Sequence, residues 1–165
     1  MDRIYVSGPM TGHKDYNFHA FDNAEDLLRK EGWDVVNPCD MTDIFGGPEA
    51  VDRSYKARRK LDTLVPGVDG VDPKLQEEAR LFDALMEADL AAVRSCHAIY
   101  MLLGWELSNG AKKELKEAIE HGLTVILQVP EEDEDGRNNR HKAESGPSGM
   151  CVRAGVPDGA HGAER

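Results

Sequence analysis

The chain has 165 residues, 40% of them hydrophobic and 31% charged, with a formal net charge of −11 at pH 7. This length and balance predict one globular domain with a hydrophobic core. The negative charge argues against binding to nucleic-acid polymers, and local donors must bind any anionic ligand against the field of the whole protein.

Apolar runs typical of strands alternate with helical patterns along the chain. The predicted strands are residues 3–7, 34–37, 97–103 and 123–129. The predicted helices run from Asn17 to Glu31, Glu49 to Leu64, Pro73 to Arg94 and Asn109 to His121, with Asn17 as an N-cap. This alternation predicts a doubly wound, Rossmann- or flavodoxin-like α/β fold with a parallel sheet of four to five strands.

Two segments depart from the alternating pattern of residues 1–130. Residues 40–75 contain one predicted helix and a loop rich in proline and glycine, and we interpret them as a helical insert. Residues 131–165 are polar, acidic and glycine-rich, with almost no large apolar side chains. Such a segment buries too little surface to offset its ordering entropy, so its composition predicts a disordered tail.

The cysteine pattern and the N-terminal residues bear on the compartment. Cys39, Cys96 and Cys151 are odd in number and lack CxxC spacing, which predicts free thiols and neither a disulfide framework nor a zinc site. The sequence MDRIYVSGP lacks a signal-peptide pattern, and no apolar run has the length of a membrane span. We therefore expect a cytoplasmic protein that needs no metal, no cofactor and no membrane.

Two loops are candidates for a ligand site, because ligands of doubly wound sheets lie beyond the carboxyl ends of the strands. They are SGPMTG, residues 7–12, and GWELSNG, residues 104–110. Small residues let backbone N–H groups approach a phosphate, and a helix N-terminus adds a favourable dipole. Neither loop is a GxGxxG or Walker motif, so plain turns are the alternative interpretation. Trp105 is suited to stacking on a base, although most such tryptophans only pack.

Two carboxylates stand out by position. Asp89 lies in the apolar stripe of the predicted helix 73–94, where a carboxylate is costly unless it is paired or hydrogen-bonded. Spacing favours neither a structural nor a functional Asp89. Glu114 borders the apolar stripe of the predicted helix 109–121, among charges that include the expected pairs Lys113–Glu117 and Lys116–Glu120. The pattern alone favours a solvated Glu114.

Four stretches together resemble the nucleoside 2-deoxyribosyltransferase superfamily, which includes the 2′-deoxynucleoside 5′-phosphate N-hydrolases. They are IYVSGPMTG, NFHAFDNAEDLLRKEGWDVVNP, EADLAAVRSCHAIYML and SNGAKKELKEAIEHGLTVIL. The match looks strongest with poorly characterised relatives common in phage genomes. It covers about residues 3–38 and 86–130 and leaves out the insert and the tail.

The resemblance implies an enzyme that cleaves or transfers the N-glycosidic bond of a nucleoside or nucleoside 5′-monophosphate, as a homodimer or higher homo-oligomer. It implies that Glu114 is the nucleophile, that Asp89 lies near the sugar and that Tyr5 is a third catalytic residue. It therefore overturns the solvated interpretation of Glu114, and we expect Asp89 and Glu114 to meet in one pocket. The residues expected to bind substrate are Ser7, Gly8, Pro9, Met10, Gly12, Trp105, Glu106, Ser108 and Gly110.

The sequence also departs from the hydrolase pattern. Thr11 stands where the hydrolases have an arginine, which weakens the case for a 5′-phosphate. Nothing after the fourth strand matches the residues that a neighbouring subunit contributes in the family. Two alternatives stay open: an NAD-type glycohydrolase on the same scaffold, and a nucleotide-sensing protein without catalysis.

Overall fold

The protein has an α/β fold, seen in a computed structural model that describes residues 1–64 and 70–130 and the backbone of residues 152–154. The strands are β1 (Arg3–Ser7), β2 (Asp34–Val36), β3 (Ala98–Met101), β4 (Thr124–Leu127) and β5 (Val152–Ala154). The helices are α1 (Phe18–Lys30), α2 (Cys39–Thr42), α3 (Pro48–Thr63), α4 (Pro73–Arg94) and α5 (Asn109–Glu120). None of the helices in these ranges combines the length and the apolar character needed to cross a membrane.

The five strands form one sheet in the order β2-β1-β3-β4-β5. The first four are parallel, with Ile4 opposite Ala98 across the β1–β3 pair, and β5 runs antiparallel to β4. The chain passes from β1 outward to β2 and then back to the other side of β1, so the topological switch point lies between β1 and β3. The predicted doubly wound fold is confirmed, together with the positions of its four parallel strands.

Two predictions concern segments that are described only in part. β5 lies within residues 131–165, whose composition predicts a disordered tail and no strand. The other residues of that segment lie outside the described part of the chain, as do residues 65–69 in the proline- and glycine-rich loop of the insert.

The sheet separates two apolar cores because successive strand residues point to opposite faces. Ile4 and Val6 of β1 face α1, where they pack with Phe21 and Leu28. Tyr5 points to the opposite face and packs with residues of α4 and α5, Val93 and Ala111 among them. This alternation places the first of the expected catalytic residues under α4 and α5.

The insert adds a helical layer beside the sheet. α3 packs along α4, with the rings of Tyr55 and Phe82 at a centroid distance of 5.6 Å and an ion pair of 3.2 Å between Arg58 and Asp83. α4 begins at Pro73, as expected, because the side chain of Asp72 accepts a hydrogen bond from the backbone N–H of Lys74 and proline suits the first helical position. α3 thereby covers the side of α4 that carries Phe82.

Candidate active site

A cavity of about 150 Å³ lies beyond the carboxyl ends of β1 and β3. Its walls come from the loop after β1 (residues 8–13), from α3, from α4 and from residues 107–114 at the start of α5. This is the switch point of the sheet, where ligands of doubly wound folds bind. The two loops selected from the sequence therefore meet at one cavity.

Glu114 is buried in this cavity, with 7% of its surface exposed. The Tyr5 hydroxyl donates a hydrogen bond to Glu114 Oε1 at 3.1 Å, and the Ser7 hydroxyl donates one to Oε2 at 2.5 Å. Both donors come from β1 and point to the same face because they are two positions apart. The solvated Glu114 favoured by the helical pattern is therefore wrong, and the buried Glu114 implied by the resemblance is correct.

Asp89 lies in the same cavity and is also 7% exposed. Its Oδ1 atom is buried and has no hydrogen-bond partner among the described residues. The carboxyl interacts electrostatically with Glu114 and lies within hydrogen-bonding reach of the Tyr5 hydroxyl. The expected meeting of Asp89 and Glu114 is confirmed, although 25 positions separate them in the sequence. An unpartnered buried oxygen argues against a purely structural Asp89, because such a role would satisfy both oxygens.

Burial shifts the pKa values of all three groups, and neighbouring carboxyls add to the shift of Asp89 and Tyr5. Burial, followed by the Glu114 charge, raises the pKa of Asp89 to about 8. Burial also raises the pKa of Glu114, but the hydrogen bonds from Ser7 and Tyr5 oppose this by stabilising its charged form. Burial and both carboxyls raise the pKa of Tyr5, which stays protonated and can donate.

The partners of the two carboxyls differ, and this decides which one ionises first. Glu114 accepts two hydrogen bonds, whereas Asp89 Oδ1 accepts none within the described ranges. Tyr5 has one hydroxyl proton and can donate it to only one carboxyl at a time. We therefore assign the negative charge to Glu114 and the proton to Asp89 at neutral pH.

The family model for "Domain of unknown function (DUF4406)" matches residues 2–127. The chain belongs to the DUF4406 family. The matched range contains β1 to β4, all five helices and every residue of the cavity. No curated protein and no solved structure matches the chain.

The insert and α4 of the DUF4406 domain supply cavity residues that the sequence did not mark as part of the site. Val51 and Tyr55 come from α3, and Phe82, Leu85 and Met86 come from α4. The i,i+4 spacing of Val51 and Tyr55 marks an inward face of α3, but nothing local indicates what that face covers. The cavity therefore has an apolar, partly aromatic lining in addition to its two carboxyls.

The two loops contribute five of their nine expected residues to the cavity lining, whereas Ser7, which is fully buried, Gly12, Trp105 and Glu106 do not line it. Gly8, Pro9, Met10, Ser108 and Gly110 line it, together with Thr11 and His13, which were not selected. Gly12 is an exposed turn residue with a φ of +85°, and Glu106 is exposed. Trp105 packs against the core between the sheet and α5. The stacking role of Trp105 and the ligand contact of Glu106 are not supported by this placement.

The start of α1 also differs from its predicted form. Asn17 precedes α1 with a φ of +61° and does not cap the helix with its side chain, which donates to the backbone carbonyl of Pro9 at 2.8 Å. Asp15 and Tyr16 also have positive φ, which is unusual for three consecutive non-glycine residues. The hydrogen bond from Asn17 stabilises the loop after β1 at the edge of the cavity.

No group of three or more histidine, cysteine, aspartate or glutamate side chains within the described ranges is arranged to bind a metal ion. The recorded hydrogen-bond donors of Glu114 are the Tyr5 and Ser7 hydroxyls, and Asp89 interacts with Glu114 and Tyr5.

Proposed function

We propose that this DUF4406 domain cleaves or transfers the N-glycosidic bond of a nucleoside or nucleoside 5′-monophosphate, as a relative of the nucleoside 2-deoxyribosyltransferases. One observation carries the proposal: Asp89 and Glu114 are buried in one cavity, with different hydrogen-bond partners that separate their acidities. Enzymes that break glycosidic bonds use two carboxyl groups in this way, one as an anion and the other as an acid.

In the first step, a carboxylate oxygen of Glu114 attacks C1′ of the sugar as the C1′–N bond breaks. The bonding electron pair leaves with the base, and positive charge develops on the sugar ring. Each oxygen of Glu114 accepts one hydrogen bond and retains a further acceptor position, so Tyr5 and Ser7 orient the carboxylate without blocking it.

Asp89 is suited to the proton transfer that accompanies this step. Its raised pKa keeps the carboxyl protonated near neutral pH, the residue lines the cavity, and its Oδ1 has no hydrogen-bond partner among the described residues. A protonated carboxyl donates to the departing base nitrogen, or to an intervening hydroxyl, and so lowers the barrier to departure. Water then attacks C1′ and releases the sugar from Glu114, or a second base does so and completes a transfer.

The size and lining of the cavity agree with a sugar at the carboxyls and a base at the aromatic side. Its volume of about 150 Å³ is below the roughly 300–1,000 Å³ of most ligand pockets, so only part of a nucleoside fits in the innermost space. Tyr55 and Phe82 form an apolar surface beside that space, and aromatic side chains bind the faces of bases well.

The test is incubation of the purified protein with a panel of nucleosides and nucleoside 5′-monophosphates, scored for free base by chromatography. A second nucleobase added to each reaction distinguishes transfer from hydrolysis, because transfer produces a new nucleoside. Glu114→Gln serves as the inactive control, since it preserves shape and removes the nucleophilic anion. Release of base by Glu114→Gln at the wild-type rate would exclude the proposed mechanism.

The same panel, with NAD added, separates the two alternatives. An NAD-type glycohydrolase releases nicotinamide from NAD and no base from simple nucleosides. A nucleotide sensor binds one member of the panel and releases base from none. The unpartnered oxygen of Asp89 beside a buried Glu114 favours catalysis, because a binding site gains no affinity from a second buried carboxyl whose pKa the first one raises.

A further inference from the structure

A second cavity, of about 490 Å³, opens between α3 and the first turns of α5. It shares Tyr55, Phe82, Met86, Asn109 and Gly110 with the cavity that contains Asp89 and Glu114. We refer to it as the outer cavity. A ligand with its sugar at Glu114 can therefore extend into the outer cavity past these shared residues.

Positive charge is concentrated in the outer cavity, although the protein as a whole carries −11. Three cationic side chains line it, Arg58, Arg59 and Lys113, against two carboxylates, Asp62 and Asp83. Both carboxylates pair with Arg58, at 3.1 Å and 3.2 Å. Arg58 is thus neutralised within the protein, and the other two cations are not engaged by these acids.

Arg59 and Lys113 have no carboxylate partner among the described residues. Arg59 lies over the ring of Tyr55, with its guanidinium carbon 5.9 Å from the ring centroid. The expected Lys113–Glu117 pair is absent, because Glu117 instead pairs with Arg94 at 2.8 Å. Both cations line the outer cavity, one from α3 in the insert and one from α5.

The start of α5 adds backbone donors to the same cavity. The N–H groups of Asn109 and Gly110 precede the first hydrogen bonds within the helix, since Ser108 accepts from Ala111 and Lys112. Both residues line the outer cavity, and a helix N-terminus attracts negative charge. The two cations without a carboxylate partner and these N–H groups supply the positive charge and the hydrogen-bond donors that a phosphate needs.

We propose that the outer cavity is a phosphate subsite, in which Arg59 and Lys113 bind the phosphate of a substrate whose sugar lies at Glu114. The identity of that substrate rests on the proposed function, but the phosphate subsite itself does not. The insert then supplies positive charge that the loop after β1 lacks, because Thr11 stands there in place of the arginine of the hydrolases. The subsite selects phosphorylated over unphosphorylated sugars.

The test measures binding to wild-type protein by calorimetry, with 2-deoxyribose 5-phosphate, 2-deoxyribose and inorganic phosphate as probes. None of these contains a glycosidic bond, so the result is independent of catalysis. The variant R59Q/K113Q removes both cations. The matched control R53Q/K112Q removes one exposed cation from each of the same two helices, at positions that do not line either cavity.

The expected result is that 2-deoxyribose 5-phosphate binds wild type and R53Q/K112Q at least about tenfold more tightly than 2-deoxyribose. R59Q/K113Q should lose this preference. The proposal of a phosphate subsite would be wrong if the two sugars bound with equal affinity. It would also be wrong if the two variants had the same preference, or if no probe bound. Inorganic phosphate that binds as tightly as the sugar phosphate would show a general anion site and also overturn it.

The base-release assay separates failure of the subsite from failure of the proposed function. If the protein releases base from nucleosides and from their monophosphates with equal KM, the glycosidic activity is supported and the phosphate subsite is excluded. If the protein binds the sugar phosphate preferentially but releases no base, the phosphate subsite is supported and the glycosidic activity is excluded.

Discussion

The Tyr5 hydroxyl donates a hydrogen bond of 3.1 Å to Oε1 of Glu114, which links β1 to α5 across 109 positions of the sequence. The Ser7 hydroxyl adds a second bond from the same strand. Because β1 is a central strand paired on both sides, it orients the carboxylate from a rigid support. Glu114 is thus the only side chain of α5 with two recorded hydrogen bonds from β1, which favours it over Glu106 as the reactive glutamate.

Glu114→Gln should lower the rate of base release by several orders of magnitude, because the amide cannot act as the nucleophile. Glu106→Gln should stay near the wild-type rate, because Glu106 is exposed and does not line the cavity. The measurement is free-base formation at matched folded fraction, with mass spectrometry for a glycosyl-enzyme trapped on a 2′-fluoro substrate. If Glu106→Gln were inactive and Glu114→Gln active, the nucleophile would be Glu106 and not Glu114.

Gly8 and Gly110 both line the cavity, but substitution by alanine should affect them differently. A Cβ atom at Gly8 would lie 2.8 Å from the Cβ and Cδ1 atoms of Leu102, so Gly8→Ala should destabilise the protein by about 1–3 kcal/mol. A Cβ atom at Gly110 meets no atom closer than 3.7 Å, and alanine favours helix by up to about 1 kcal/mol.

Gly110→Ala should therefore keep or raise the melting temperature while its methyl group narrows the junction of the two cavities and raises KM. Thermal unfolding and steady-state kinetics of both variants check this pair. Equal stability of Gly8→Ala and wild type would mean that the loop after β1 shifts freely away from Leu102.

Tyr55→Ala should weaken the binding of nucleosides, because it removes half of the aromatic surface beside the carboxyls. Stacking of one base on an aromatic ring contributes about 1–3 kcal/mol, so KM should rise by roughly five- to 150-fold with little change in kcat. Arg53→Ala, an exposed change on the same helix, is the control for effects on α3 itself. A fall in kcat at constant KM would place Tyr55 in catalysis rather than in base binding.

The order of elements could be read from the sequence because their signals are local. Pro73 and the Asp72 cap mark the start of α4, and the alternation in β1 separates Ile4 and Val6 from Tyr5. Asn17 shows the limit of such signals, since its side chain binds the Pro9 carbonyl and not the helix. A residue type suited to capping does not determine which nearby backbone group it binds.

The candidate site was only partly readable, because its decisive contacts are distant in sequence. The pattern of α5 favours a solvated Glu114, and only its donors on β1 explain why it is buried. The burial of Glu114 was predicted from the resemblance to a known family, because the periodicity of the helix does not indicate it. Tyr55 was missed for the same reason, because α3 becomes part of the cavity only by packing on α4.

The stability of the protein should depend on the proton of Asp89. Burial and the Glu114 charge raise its pKa from 3.8 to about 8. Between about pH 4 and pH 8 the unfolded chain has lost this proton while the folded protein retains it. Raising the pH through that window therefore lowers the free energy of unfolding, and above pH 8 both states are ionised and the effect stops growing.

Asp89→Asn removes this dependence, because the amide is neutral at every pH and close in shape to the protonated acid. The variant should be closest to wild type near pH 4 and more stable by a few kcal/mol at pH 8, since each pKa unit corresponds to about 1.4 kcal/mol. Denaturant unfolding of both proteins at pH 5 and pH 8 measures the difference, with Glu77→Gln on the exposed side of α4 as a control for substitution on that helix. The same substitution should slow base release, because the amide cannot protonate the leaving base. A stability difference that stays constant between pH 5 and pH 8 would show that Asp89 ionises normally, and the proton needed for departure of the base would then have to come from elsewhere.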